Sequence, residues 1–199
     1  MFIVDTQVHI WKEETPDRPW IPGARERMRL NGHREAAFTY QECINLMDEA
    51  GVDRVLIVPP SWEGDRIDYS LEACEAHPGR FGIMARCVDD AIGYWVGETA
   101  DLYMHPNIYV KVSAIPGYST QPFPNLNIAG YVRDMVDKMG PHRCFWGTDL
   151  TRLMSHGLTY RETIEQFTKH FPFTEDELEW IMGRGICECL GWPIPVGAL

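Results

Sequence analysis

Five short runs rich in β-branched and aromatic residues punctuate the chain, with helical patterns between them. The runs are FIVDTQVH (2–9), RVLIVPP (54–60), RFGIMARCV (80–88), NIYVKVSA (107–114) and RCFWGTD (143–149). Helical stretches fall near 40–50, 66–77, 97–105 and 128–139. Alternation of this kind predicts parallel strands joined by right-handed helical crossovers, and so an α/β domain. Thr-x-x-Glu sequences at Thr39, Thr159 and Thr174 mark helix starts. There hydroxyl and carboxylate together satisfy backbone N–H groups that the first turn leaves unpaired. The last fifty residues read as mainly helical. No internal repeat or linker divides the chain, so 1–199 reads as one domain. Five strands are too few for an eight-stranded (β/α) barrel, which typically takes ~250 residues.

The polar residues of these strands share faces, because strand side chains alternate. Asp5, Gln7 and His9 fall on one side of the first strand, opposite Val4, Thr6 and Val8. Lys111 lies in phase with Tyr109 and Ser113, and Asp149 with Phe145 and Gly147. Parallel strands covered by helices should read as almost continuously apolar. Burying these groups without partners is costly, so they must neutralise one another or face a ligand. His9 and Asp149 also end their strands, and α/β sites lie beyond carboxyl strand ends. A histidine satisfied in a turn and an aspartate capping a helix are the plain alternatives for either residue alone.

The formal charge of −11 and the lack of a basic block argue against a nucleic-acid partner. No run of eighteen apolar residues predicts a membrane span, and Asp5 interrupts the start too early for a signal peptide. Six dispersed cysteines, Cys187 and Cys189 included, read as reduced thiols rather than a zinc site, which points to a cytoplasmic protein.

DTQVHIW (5–11), RFGIMARCVDD (80–90), HPNIYVKVSAIPGYS (105–119) and RCFWGTDLTRL (143–153) together resemble the amidohydrolase-related family. Its branch includes aminocarboxymuconate-semialdehyde decarboxylase-like enzymes, and the resemblance runs from residue 2 to about residue 192. It implies a TIM-barrel-type (β/α) fold, a divalent metal such as zinc, and cytosolic chemistry on small, often carboxylated or cyclic substrates. The family pattern closes its first strand with His-x-His and its last with Asp. His9 matches the second histidine, Gln7 stands in place of the first, and Asp149 matches the closing aspartate. Gln7 offers only a neutral amide and is expected to support the site rather than ligate. About three strand–helix units are missing between RCVDDAIGYW and ETADLYMHPN, which places an internal deletion near 90–100 and predicts an incomplete barrel.

Topology sorts the other histidines. His33, after the first strand, and His156, after the last, can reach the carboxyl rim and complete a ligand set with His9 and Asp149. Arg66 and Arg152 are candidates for a substrate carboxylate, Trp11 and Trp20 for an aromatic wall, and Lys111 for pairing with Asp5 or a substrate anion. The resemblance implies hydrolysis or non-oxidative decarboxylation, with Asp149 and His9 catalytic, or no metal if the site is degraded. The competing reading is an inactive remnant that binds a ligand or self-associates through exposed sheet edges.

Overall fold

A computed structural model of the protein describes residues 1–64, 66–84 and 109–198. All five predicted strands appear in it, each shorter than its apolar run. They are β1 (Val4–Val8), β2 (Arg54–Ile57), β3 (Phe81–Ile83), β4 (Val110–Ser113) and β5 (Cys144–Gly147). β1, β2 and β3 form one parallel sheet in that order, and β4 pairs with β5 in parallel. The two sheets meet at β1 and β5. The Thr6 hydroxyl donates to Trp146 O at 2.8 Å and the Asp149 N–H donates to Gln7 O at 2.7 Å. The spatial order is therefore β3-β2-β1-β5-β4, with the closing strand set against the opening one. This is an α/β fold of TIM-barrel type in which the described residues supply only part of the strands. The predicted helix at 97–105 and the expected junction near 90–100 lie outside the described residues.

Helices α2 (Tyr40–Ala50), α3 (Asp68–Ala76) and α4 (Ala129–Met139) follow the sequence pattern closely. A further helix, α1 (Ala24–Leu30), lies in the long connection after β1, where no helix was expected. The closing region holds α5 (Leu150–Ser155), α6 (Tyr160–Glu165), α7 (Glu175–Glu179) and α8 (Gly185–Leu190). A π-helical turn extends α6 through Gln166–His170, and another, Trp180–Arg184, joins α7 to α8. The Thr159 and Thr174 capping boxes are complete. Thr39 accepts from the Glu42 N–H, but the Glu42 carboxylate turns to Arg34 instead of closing the box.

Strand alternation divides the core. Val55 and Ile57 pack into the large apolar layer under the helices. Leu56, between them, faces a second layer with Phe2, Val4, Phe145 and Ile186, against which Trp192 packs. Its members Phe2, Val4 and Phe145 lie toward the amino ends of β1 and β5, away from His9 and Asp149. No helix among the described residues is long and apolar enough to cross a membrane. The described cysteines are unbridged thiols. Cys187 is buried while Cys189, two positions on, is exposed, so they do not form a paired ligand set.

Candidate metal and acid–base site

The period of two fails inside β1. Its register against β2 shifts between Asp5 and Val8, and the Asp5 carboxylate folds back to accept the Gln7 N–H at 3.0 Å. Asp5 thereby leaves the face assigned to it. Its oxygens also accept from Tyr160 Oη at 2.6 Å, Thr148 Oγ1 at 2.5 Å and Thr148 N at 2.9 Å. Burial raises its pKa to about 6, against the opposing pull of hydrogen bonds from Thr148 and Tyr160. Asp5 thus fastens β1 to β5 and α6. Lys111, expected beside Asp5 or a substrate anion, instead donates to Gln7 Oε1. Burial lowers its pKa, while Asp149 and Asp5 pull the other way.

Beyond the bulge, Gln7 and His9 point into the site. His9 Nδ1 lies 2.7 Å from Val58 O. A carbonyl only accepts, so Nδ1 carries the proton. His9 Nε2 then faces the Gln7 amide nitrogen at 3.2 Å and Asp149 Oδ1 at 3.6 Å. The Lys111 ammonium, which only donates, already holds the amide oxygen, so the amide N–H points at His9 Nε2.

Asp149 follows β5 in the left-handed region, with φ 58° and ψ 52°, a conformation that aspartate adopts more readily than most residues but still at a cost relative to glycine. Such strain gathers where function requires a particular geometry. Its Oδ1 is buried and accepts no hydrogen bond. A buried carboxylate oxygen without a donor fits a cation or a proton arriving from a ligand.

His33 arrives from the connection after α1. Gly32 turns the chain with φ +75, and a Cβ there would come within 2.7 Å of Ser155 Oγ on α5. This close approach sets His33 Nδ1 2.9 Å from Thr151 Oγ1, two residues beyond Asp149. Burial lowers the His33 pKa to about 4, against the pull of Asp149, with His9 and Arg152 adding to the fall. His33 is therefore neutral at pH 7, as a metal ligand must be. Ligand atoms of His9, His33 and Asp149 all lie within 4.8 Å of one another. Two imidazoles and a carboxylate form a donor set suited to zinc with a position left for water or substrate.

Aromatic rings wall this trio. Trp62 packs against His33 at 5.0 Å and His9 at 5.9 Å between centroids, and Trp11 against Trp62 at 5.0 Å. Arg18 grips both buried Glu63, beside Trp62, and Asp68, pinning the long connection after β1 over the loop after β2. Trp20 lies apart, covered by the Arg25 guanidinium.

The remaining candidates divide. Arg66 donates to Pro19 O and so holds the connection rather than facing the trio. Arg152 lies over the Tyr118 ring at 5.5 Å, close enough to act on His33. His156 sits exposed at the end of α5, outside the trio, so His33 is the third imidazole-or-carboxylate donor. Lys111 and Ser113 border a cavity of about 440 Å³ with Tyr118 and Tyr131. Sequence reasoning did not single out Thr148, Thr151 or Tyr160, whose hydroxyls orient Asp5 and His33. Only their nearness to Asp149 could have marked the first two.

A sequence profile of the amidohydrolase family matches residues 90–184. No curated protein matches the chain. Among solved structures, one is named a probable 2-pyrone-4,6-dicarboxylic acid hydrolase from Acinetobacter baumannii, with citric acid bound. It is 17% identical with a TM-score of 0.69, over 96% of this chain and 100% of that one. Another, an amidohydrolase from Burkholderia multivorans with bound zinc, is 12% identical with a TM-score of 0.68, over 97% of this chain and 100% of that one. By sequence through residues 90–184 and by fold over nearly its whole length, the chain resembles the amidohydrolases.

Proposed function

We propose that the protein is a hydrolase acting on a small cyclic or carboxylate-bearing substrate, with Asp149, His9 and His33 as its working groups. The observation that carries this reading is the buried Asp149 Oδ1, which accepts no hydrogen bond and stands 3.6 Å from His9 Nε2. His9, His33 and Asp149 would hold a divalent cation, zinc by the donor set, which would supply Lewis acidity toward a substrate carbonyl. The chain's own part is to bring an unsatisfied carboxylate to the reacting centre. Asp149 accepts the proton that an attacking water gives up, and the aromatic wall of Trp62 and Trp11 limits solvent access. Arg152, reaching the His33 side of the site from α5, and Lys111, bordering the cavity, favour an anionic substrate. Of the similar structures, one is named a probable dicarboxylic acid hydrolase and one holds zinc, which supports the same class.

The test is turnover of 2-pyrone-4,6-dicarboxylate, followed by loss of ring absorbance, and of simple lactones, followed by the acid released. Wild-type protein is expected to open the ring, and Asp149→Asn to lose ~100-fold or more of that rate, as removal of a general base commonly does. Equal turnover by Asp149→Asn would sink the assignment. Release of carbon dioxide without ring opening would replace hydrolysis by decarboxylation.

A further inference from the structure

We propose that Lys111 is a latch on the metal affinity of this site, acting through the orientation of the Gln7 amide. The inference rests on the reading of His9, His33 and Asp149 as the cation-binding trio.

Three hydrogen bonds run in one direction. Lys111 Nζ donates to Gln7 Oε1, the Gln7 amide nitrogen donates to His9 Nε2, and His9 Nδ1 donates to Val58 O. Each end of this chain is fixed by chemistry. An ammonium has no lone pair and a peptide carbonyl has no proton, so the direction cannot reverse. The consequence falls on His9 Nε2, the atom that faces Asp149 and would bind a cation. Its lone pair already receives an amide N–H. A cation must displace that N–H, leaving an amide hydrogen against positive charge.

A side-chain amide has a simple escape. Rotated by half a turn, Gln7 would present Oε1 to the cation as a further oxygen ligand. The same rotation would set the amide NH2 against the Lys111 ammonium, two donors facing each other. Lys111 therefore forbids the one orientation in which Gln7 could ligate. The glutamine that replaces an imidazole here is a ligand held in reserve, and the lysine of β4 holds it there. Partners of this outer kind commonly change metal affinity ~10- to 100-fold.

Removing a positive charge near a cation site would by itself tighten binding, so the test must separate charge from amide orientation. Metal-free wild type, Lys111→Met, Gln7→Leu, the Lys111→Met/Gln7→Leu double variant and Asp149→Asn are titrated with zinc against a chromophoric chelator. The visible spectrum of bound cobalt reports coordination number. Lys111→Met is expected to bind zinc ~10-fold tighter or more than wild type, with a cobalt spectrum changed by the added oxygen ligand. In the Gln7→Leu background the same lysine change should gain little. An equal gain in both backgrounds, or none in either, overturns the latch. Zinc binding that survives Asp149→Asn at full strength overturns the trio itself, whatever Lys111 does, and no binding by any chain overturns both. Should Lys111→Met fail to fold, Lys111→Gln serves, because its own amide can turn to accept from Gln7, and the same tightening is expected.

Discussion

Asp5 shows how one side chain can redirect a strand. Its carboxylate gathers donors from Gln7, Thr148 and Tyr160 while fully buried, and the register shift in β1 is the backbone's accommodation of that grip. The folded protein holds the Asp5 proton more tightly than the unfolded chain does, with a pKa of about 6 against an ordinary 3.8. The sign follows from linkage: Asp5 favours the folded state fully below pH 3.8, and that contribution is lost as pH rises through 6. Urea unfolding of wild type and Asp5→Asn across pH 4 to 7 should show their stability difference moving against wild type as pH rises through that window. A constant difference would mean that Asp5 does not titrate there. Alternation alone put Asp5 beside Gln7 and His9, and nothing in the letters DTQVH announces a bulge, because its cause lies 143 residues away in Thr148.

At the scale of elements, the sequence was most legible where the determinants are local. Thr159 and Thr174 close their boxes with Glu162 and Glu177 as their spacing predicts. Thr39 succeeds only in part, since Arg34 competes for Glu42. The unpredicted α1 begins at a left-handed Gly23 without any side-chain cap, so it carried no start signal. His33 was placed only as one of two histidines able to reach the rim. Choosing it over His156 needed Gly32 seated against α5, a tertiary contact. Glu177 does double duty, because Arg133 of α4 and the Thr174 N–H together lower its pKa from 4.5 to about 2. That support is complete above pH 4.5 and is lost as pH falls toward 2. Glu177→Gln keeps an amide oxygen for the Thr174 N–H but loses the charge facing Arg133, so it should cost under about 1 kcal/mol near neutrality, the scale of a partly exposed ion pair, and flatten the acid limb of the stability curve. An unchanged acid limb would show that the Arg133 pairing is not formed in solution.

The whole molecule depends on its last helices meeting its first strand. Gly183 sits where a Cβ would come within 2.2 Å of Phe2 O, a backbone atom that cannot rotate aside. Gly183→Ala should lower stability by ~1–3 kcal/mol or more, read as a lower urea midpoint with the slope preserved. A neutral outcome would mean that this crossing is looser than described. The same junction decides whether the site exists, because Asp149 reaches His9 only when β5 is seated against β1 through Trp146 and Gln7. On the ribosome, His9 and His33 emerge long before their carboxylate partner. Until the segment beyond residue 149 has been made and docked, the two imidazoles have no carboxylate to share a cation with. Distant pairings of this sort form slowly because a long loop must first be closed. Nascent or truncated chains should therefore be unable to take up metal at this place, and chemical competence would be the final property the polypeptide acquires.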